Sequence, residues 1–263
     1  MSGDTQSRLV ETFDKIGPLA IAVSGGVDSM VLAFIANQYA VKRPQMIHAV
    51  SPAVPQEATA RVKRYAERDG WQLSIIDAGE FADADYRANP VNRCYFCKSN
   101  LYDRIRSITP RNIASGANLD DLGDYRPGLK AAAERDVVHP YIRAKITKAD
   151  IYALAALHGL EDLAELPAQP CLSSRVETGI GIDPVDLAFI EKVETEMARI
   201  MPKGATVRCR VTHQGVAVEI GESEIAQEKE IRDIAALLCA EAHRPFAGLR
   251  PYKRGSAFLG KPT

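Results

Sequence analysis

The apolar run Leu19-Ala20-Ile21-Ala22-Val23 passes directly into Ser24-Gly25-Gly26-Val27-Asp28-Ser29, and no other stretch constrains the fold so strongly. An apolar run followed by a glycine pair reads as a buried strand ending in a turn, and Met30 to Tyr39 can follow as a helix. Strand, loop and helix in that order make an anion site. Glycines let backbone N–H groups come close to a phosphate, Ser24 and Ser29 offer hydroxyls, and a helix N-terminus favours negative charge. A plain Gly-Gly turn is the simplest alternative. The Gly-Lys-Ser/Thr of a Walker loop is missing. The stretch therefore predicts a different type of phosphate loop.

Composition narrows the class. A chain of 263 residues, 46% hydrophobic and 25% charged, can bury one large core or two modest ones. The polar start MSGDTQSRLVETFDK has no apolar signal-peptide core, and no apolar run approaches the roughly 20 residues of a membrane span. A soluble, cytoplasmic protein is expected. Lys and Arg number 33 against 34 Asp and Glu, so no global positive field recruits nucleic acid. An odd count of 5 cysteines without an export signal argues for reduced thiols, metal ligands or a reactive sulfur rather than a disulfide framework.

The first two-thirds alternates strand-like and helix-like segments, which predicts a doubly wound α/β domain with a parallel sheet. Strands are expected at Leu19–Val23, Gln45–Val50, Leu73–Ile76, Ile113–Gly116 and Val137–Pro140. Helices are expected at Met30–Tyr39, Gln56–Asp69, Asn92–Ile108 and Thr147–His158, the last capped by Thr147 with Asp150 in the capping-box position. Leu166-Pro167-Ala168-Gln169-Pro170 stops regular structure and predicts a junction between domains 1–166 and 167–263. Beyond it, Pro184–Met201 and Glu222–Ala242 read as helices. Ala205–Val211 and Val216–Ile220 read as paired strands around His213-Gln214-Gly215, which completes a small α+β module.

Cys94-Tyr95-Phe96-Cys97 is a CxxC, and Cys171 follows Pro170 in an irregular loop beside Arg175. A CxxC sets two thiols on one side of a helical turn and suits a metal, an iron–sulfur cluster or a redox disulfide. Structural zinc would normally want a fourth ligand, and ordinary packing cysteines are the other alternative. Three thiolates favour a [4Fe-4S] cluster with one iron open. Positive charge and loop exposure suit Cys171 to nucleophilic work. Cys209, in a strand, and Cys239, on a helix, read instead as buried small hydrophobes.

SGGVDS at 24–29 resembles the pyrophosphate loop of the PP-loop ATP pyrophosphatases, which activate a carboxylate or carbonyl as an adenylate. NRCYFCK at 92–98, SGANLDD at 115–121 with DYRPG at 124–128, and PAQPCLSSR at 167–175 resemble the LarE family. These are ATP-dependent sulfur transferases of nickel-pincer cofactor assembly. The resemblance implies an adenine nucleotide alpha hydrolase-like fold and adenylation of pyridinium-3,5-biscarboxylic acid mononucleotide, whose carboxylates become thiocarboxylates. In one branch the cysteine matched by Cys171 is consumed as sulfur donor. In the other, a CxxC joins it to hold a [4Fe-4S] cluster, and Cys94, Cys97 and Cys171 place this chain there.

The implied ATP site is Ser24, Gly25, Gly26, Asp28, Ser29 and Asp121, with Asp28 a magnesium ligand; Asp120 and Asp121 read equally well as a solvated loop. Arg175, Arg208 and Arg210 can clamp phosphate and carboxylates bidentately, and Arg208 and Arg210 share a strand face. Glu194 contributes a metal or substrate contact by family analogy. Cys209 between the paired arginines and the ending Tyr252-Lys253-Arg254-Gly255-Ser256 depart from the family pattern. The expected partners are a small-molecule nucleotide substrate and a sulfide or other sulfur donor, with no membrane, no nucleic acid, and a homo-oligomeric assembly. A [4Fe-4S]-dependent tRNA thiolase is the main alternative, and a non-catalytic nucleotide or iron–sulfur sensor is the third.

Overall fold

The computed structural model describes residues 2–123, 126–202, 204–221, 227–253 and 255–257. Asp124, Tyr125, Arg254 and the start of the expected last helix at 222–226 lie outside the described residues. In chain order the elements are α1 (Ser2–Ile16), β1 (Leu19–Ala22), α2 (Val27–Tyr39), β2 (Gln45–Val50), α3 (Gln56–Asp69), β3 (Gln72–Asp77), α4 (Ala84–Arg87), α5 (Arg93–Ile108) and β4 (Asn112–Ala114). They continue with α6 (Pro127–Ala133), α7 (Pro140–Arg143), α8 (Lys148–Leu157), α9 (Glu161–Ala164), α10 (Pro184–Ile200), β5 (Val207–Thr212), β6 (Gly215–Ile220), α11 (Glu228–Glu241) and β7 (Phe246–Pro251). The chain forms two compact units, Met1–Asp83 with Arg93–Gln169, and Ala84–Asn92 with Pro170–Thr263.

The first unit is α/β. Its described strands form a four-stranded, all-parallel sheet in the order β3-β2-β1-β4. Alternation along the strands divides the core into two faces. Leu19, Ile21, Met46 and Ala114 join one apolar cluster with Leu9 and Phe13 of α1, much of α2, Tyr65 of α3, and Ile151 and Leu154 of α8. Ala20, Ile47 and Ile113 join the other with Leu101, Tyr102 and Ile105 of α5 and Ala132 of α6. The order reverses beside β1, so β1 and β4 flank the topological switch point, where the carboxyl ends of parallel strands leave a crevice.

The expected fifth strand is corrected. Val138 makes a single parallel bridge to Ala114, and Pro140, which has no N–H to extend a ladder, instead occupies the first position of α7. α8 carries the expected capping box between Thr147 and Asp150. The expected strand 113–116 stops at Ala114, which leaves Ser115 and Gly116 in a loop. α1 and β7 are elements beyond those expected; in α1 the signal is Leu9 and Phe13, four apart and buried.

The second unit is an antiparallel β5–β6 hairpin with β7 parallel to β6, accompanied by α10 and α11. Residues 84–92 are stitched into it. Tyr86 and Ser173 share a hydroxyl hydrogen bond of 2.7 Å, and buried Asn89 donates to the carbonyls of Glu177 and Ile180 at 2.9 Å each. Among the described residues no helix is long and apolar enough to cross a membrane.

His48 of β2 is fully buried; its Nδ1–H donates to the Val23 carbonyl at 2.8 Å and its Nε2 accepts from Thr59 at 2.9 Å. Burial holds its pKa below the ordinary 6.5. The unfolded chain therefore binds a proton that the folded chain refuses, and stability falls as pH drops below about 6.5. His139 and His158 shift the same way. Thermal unfolding followed from about pH 7.5 to about 5.5 should show a falling midpoint, with a shallower slope in His48→Asn; equal slopes would exclude His48 as a source.

Candidate functional site

The loop after β1 is shaped by its glycine. Gly25 has φ +86°, and a Cβ there would lie 2.7 Å from the Ala58 carbonyl oxygen and 2.9 Å from the Ala58 Cβ. No side chain fits, because α3 closes directly against the loop. Two hydroxyls brace it: Ser24 N–H donates to Ser29 Oγ at 3.0 Å, Ser29 Oγ donates to the Gly26 carbonyl at 3.0 Å, and the two Oγ atoms are 3.1 Å apart. Gly26 caps α2 without any side-chain hydrogen bond. The first-turn N–H groups of a 13-residue helix therefore meet no capping side chain at the end of a central strand, a geometry suited to an anion.

The loop after β4 meets it backbone to backbone. A Cβ on Gly116 would fall 2.9 Å from Ser29 N and 3.0 Å from the Asp28 carbonyl carbon, so glycine is what lets the two loops join. Asn118 donates to Asp28 Oδ1 at 3.2 Å, Lys148 Nζ donates to Asp28 Oδ2 at 2.6 Å, and the Tyr141 hydroxyl donates to the Asp28 carbonyl at 3.0 Å. Burial, then the Asp28 charge, pushes the Tyr141 phenol well above its usual pKa, so it stays a neutral donor. Asp121 braces the same loop. It accepts from Asn118 N–H at 3.0 Å and pairs with Arg126 at 2.7 Å, while Asp120 accepts from Lys148 N–H at 2.7 Å.

Lys148, Asn118 and Tyr141 escaped the sequence reading. Asn118 lies inside the SGANLDD stretch and Lys148 directly follows the capping Thr147, but no local pattern ties either to Asp28. The Asp28 and Lys148 side chains are 30% and 32% exposed. A pair at that exposure is worth about 0–1 kcal/mol, so Asp28 can exchange the ammonium for another cation at little cost.

Cys94 and Cys97 stand in the first two turns of α5, three residues apart on one face and both half-buried. The Arg126-Pro127-Gly128 segment packs there: a Cβ on Gly128 would lie 3.1 Å from Lys98 Cγ and 3.7 Å from the Cys94 carbonyl oxygen. Tyr95 donates to Glu134 at 2.6 Å across the same α5–α6 contact.

In the second unit Cys171 is exposed and precedes the 3-10 turn Leu172–Arg175. Arg175, 4% exposed, donates through Nη1 to the carbonyls of Pro170 at 2.6 Å and Cys171 at 3.1 Å. Its Nε and Nη2 pair bidentately with Glu194 at 3.0 and 2.9 Å. Burial works against the charge, but Glu194 outweighs it and holds the Arg175 pKa above its usual value. Glu194 also accepts from Cys209 N–H at 3.0 Å. Arg210 pairs with Glu219 at 2.9 Å and donates to the Ser174 carbonyl at 2.9 Å. Arg208 is half-buried near the Tyr252 ring, 6.0 Å to the centroid, and burial followed by the Arg175 charge lowers its pKa.

Thus Arg175, Glu194 and Arg210 converge on the Cys171 turn, and their charges are already matched by one another or by Glu219. Cys209 and Cys239 are both buried, and burial pushes both thiols up. They are small hydrophobes, as read. None of the five cysteines is in a disulfide. Among the described residues, neither unit by itself assembles three or more His, Cys, Asp or Glu side chains into a metal cage. Cys94 and Cys97 belong to the first unit and Cys171 to the second.

No protein-family model matches the chain. It is 34% identical to an uncharacterized protein of Synechocystis sp. over 84% of this chain and 82% of that relative. An uncharacterized protein of Methanocaldococcus jannaschii is 29% identical over 86% of each chain. The pyridinium-3,5-bisthiocarboxylic acid mononucleotide synthase of Lactiplantibacillus plantarum is 26% identical over 84% of this chain and 80% of that enzyme.

Proposed function

The chain belongs to the LarE family, and on that premise we propose that it is an ATP-dependent sulfur transferase that converts the carboxylates of pyridinium-3,5-biscarboxylic acid mononucleotide to thiocarboxylates. The observation that carries the ATP half is the loop at 24–29, with Gly25 sealed against Ala58 and α2 starting without a side-chain cap. A cradle of N–H groups at the switch point fits a pyrophosphate. Asp28 fits Mg²⁺, because its carboxylate already holds a cation at 2.6 Å.

A carboxylate resists nucleophiles because its oxygen leaves poorly. Its oxygen attacks the α-phosphorus of ATP, a C–O–P bond forms, and pyrophosphate departs into the loop. Asp28 is the residue that would hold Mg²⁺, which would offset phosphate charge, and Lys148, now 2.6 Å from that carboxylate, is the cation that would answer the charge developing on the phosphates. A sulfur nucleophile then attacks the activated carbonyl; the C–S bond forms, the C–O bond to AMP breaks, and AMP carries away the electron pair.

Cys171, exposed on its Arg175-held turn, would serve as a thiolate of the sulfur-delivery site and is not itself consumed. Cys94, Cys97 and Cys171 are the residues that would hold a [4Fe-4S] cluster on this reading; they are the cysteines with surface access, whereas Cys209 and Cys239 are buried. Such a cluster, held there, would let sulfide from an external donor serve as the nucleophile. Arg208, beside Tyr252, meets the substrate phosphate, while Arg175 and Glu194 act by positioning the Cys171 turn.

Anaerobic incubation with ATP, Mg²⁺, sulfide and the biscarboxylate nucleotide, read by product mass, tests this. One oxygen-to-sulfur exchange per carboxylate, matched by AMP and pyrophosphate, is expected. Pyrophosphate release without any thiocarboxylate, or salt-sensitive tRNA binding with tRNA-stimulated adenylation, would overturn it.

A further inference from the structure

We propose that Arg61 is a positioning residue that ties the phosphate loop to the segment carrying Cys171, so that nucleotide at the loop governs how Cys171 is presented. The proposal rests on the ATP reading above and adds a regulation to it. Arg61 lies on α3 and is 4% exposed. Its Nη1 donates to the Gly25 carbonyl at 2.7 Å and to Gln169 Oε1 at 3.0 Å. Gln169 closes the first unit and stands two residues before Cys171.

A buried guanidinium is costly unless paired. The nearest carboxylate, Glu57, is 3.9 Å away, 62% exposed, and closer to Arg64 at 3.1 Å. Burial accordingly depresses the Arg61 pKa. The buried cation serves two neutral carbonyl oxygens, one in the loop and one on Gln169. One turn further along α3, Tyr65 donates to Asp162 of α9 at 2.5 Å. The same helix face thus holds the chain at both ends of the irregular stretch before Pro170.

The coupling is mechanical. The Gly25 carbonyl and the Gly26 N–H are opposite ends of one planar peptide unit. Gly26 N–H now reaches Ser24 Oγ at a long 3.4 Å. An anion that recruits this N–H rotates the whole plane, which Gly25 at φ +86° permits, and moves the carbonyl that Arg61 holds. Arg61 must follow the carbonyl or keep Gln169, and the Cys171 segment shifts with the choice.

The test is the alkylation rate of Cys171 by iodoacetamide, read by peptide mass, with and without the Mg²⁺ complex of an ATP analogue uncleavable between its α- and β-phosphates. Buried Cys209 and Cys239 serve as internal references. Nucleotide binding is measured separately by equilibrium dialysis. In the wild-type protein nucleotide should change the Cys171 rate by at least about five-fold, the low end of ordinary coupling between sites. Gln169→Ala, at an exposed position that does not threaten folding, should bind nucleotide as before and lose that change. Arg61→Lys, which keeps one charge but cannot reach both oxygens, should also lose it. Bound nucleotide without any rate change, or a full change in Gln169→Ala, overturns the coupling alone. Absence of binding in the wild-type protein overturns the ATP reading and the coupling with it.

Discussion

Cys171→Ser is expected to abolish thiocarboxylate formation, by at least about 1,000-fold, or about 4 kcal/mol in the barrier, while ATP–pyrophosphate exchange stays within a few-fold of wild type. A serine hydroxyl is a far weaker nucleophile than a thiol near neutral pH and a poor ligand for iron, so the substitution removes sulfur delivery in either form. Adenylation should survive because the loop at 24–29, Asp28 and Lys148 all belong to the first unit and Cys171 to the second. Folding should survive as well: the Cys171 side chain is exposed, and what Arg175 holds is its backbone carbonyl. Parallel assays of exchange and product mass check this. Transfer at a tenth of the wild-type rate or more would remove Cys171 from the chemistry.

Arg175→Met should carry the largest stability cost, about 3–5 kcal/mol. Methionine fills much of the volume but leaves Glu194, whose side chain is 17% exposed, without its cation, and leaves the Pro170 and Cys171 carbonyls without their donor. Breaking one side of a buried pair is what costs most. Removing both charges should cost less than the sum. Glu194→Gln is the partner of choice because its amide oxygen can still accept from Cys209 N–H, a bond of 3.0 Å in the native turn. Urea unfolding of the two single variants and the double should give a coupling of about 0.5–3 kcal/mol. A loss under about 1 kcal/mol in Arg175→Met would mean that the pair behaves like a surface ion pair.

Much of this molecule was legible in local patterns. β1, β2, β3 and the helices between them announce themselves by apolar runs and charged amphipathic stretches, and the Thr147–Asp150 box marks the start of α8. Cys209 and Cys239 were readable as core residues. The misreading at Val137–Pro140 has a local cause as well: two valines suggest a strand, but Pro140 cannot donate to one and starts a helix instead. α1 is hard to read locally because its charged residues hide an apolar stripe.

Other features depend on residues far apart in the chain. Asp28 meets Lys148 and Asn118 across 120 and 90 residues, and Arg61 meets Gln169 across 108. Nothing in Ala84–Asn92 shows that Tyr86 and Asn89 hydrogen-bond to residues 173–180. Such partners are chosen by the packing of helices on a sheet, which sequence spacing does not encode.

The turn at 24–29 is readable from chain order alone, because strand, glycine and helix N-terminus are adjacent in the chain and their chemistry is local. The sequence also settled which cysteines are buried, through the strand and helix patterns around them. What the charges do is set by the fold. Arg175, Arg210 and Asp28 look alike as isolated charged residues, yet the fold buries the first two against their own carboxylates and leaves the third holding an exchangeable lysine beside the loop. Whether a charge is locked into the structure or exchangeable depends on its burial and on which opposite charge the chain brings back to it, and both are set by contacts distant in sequence.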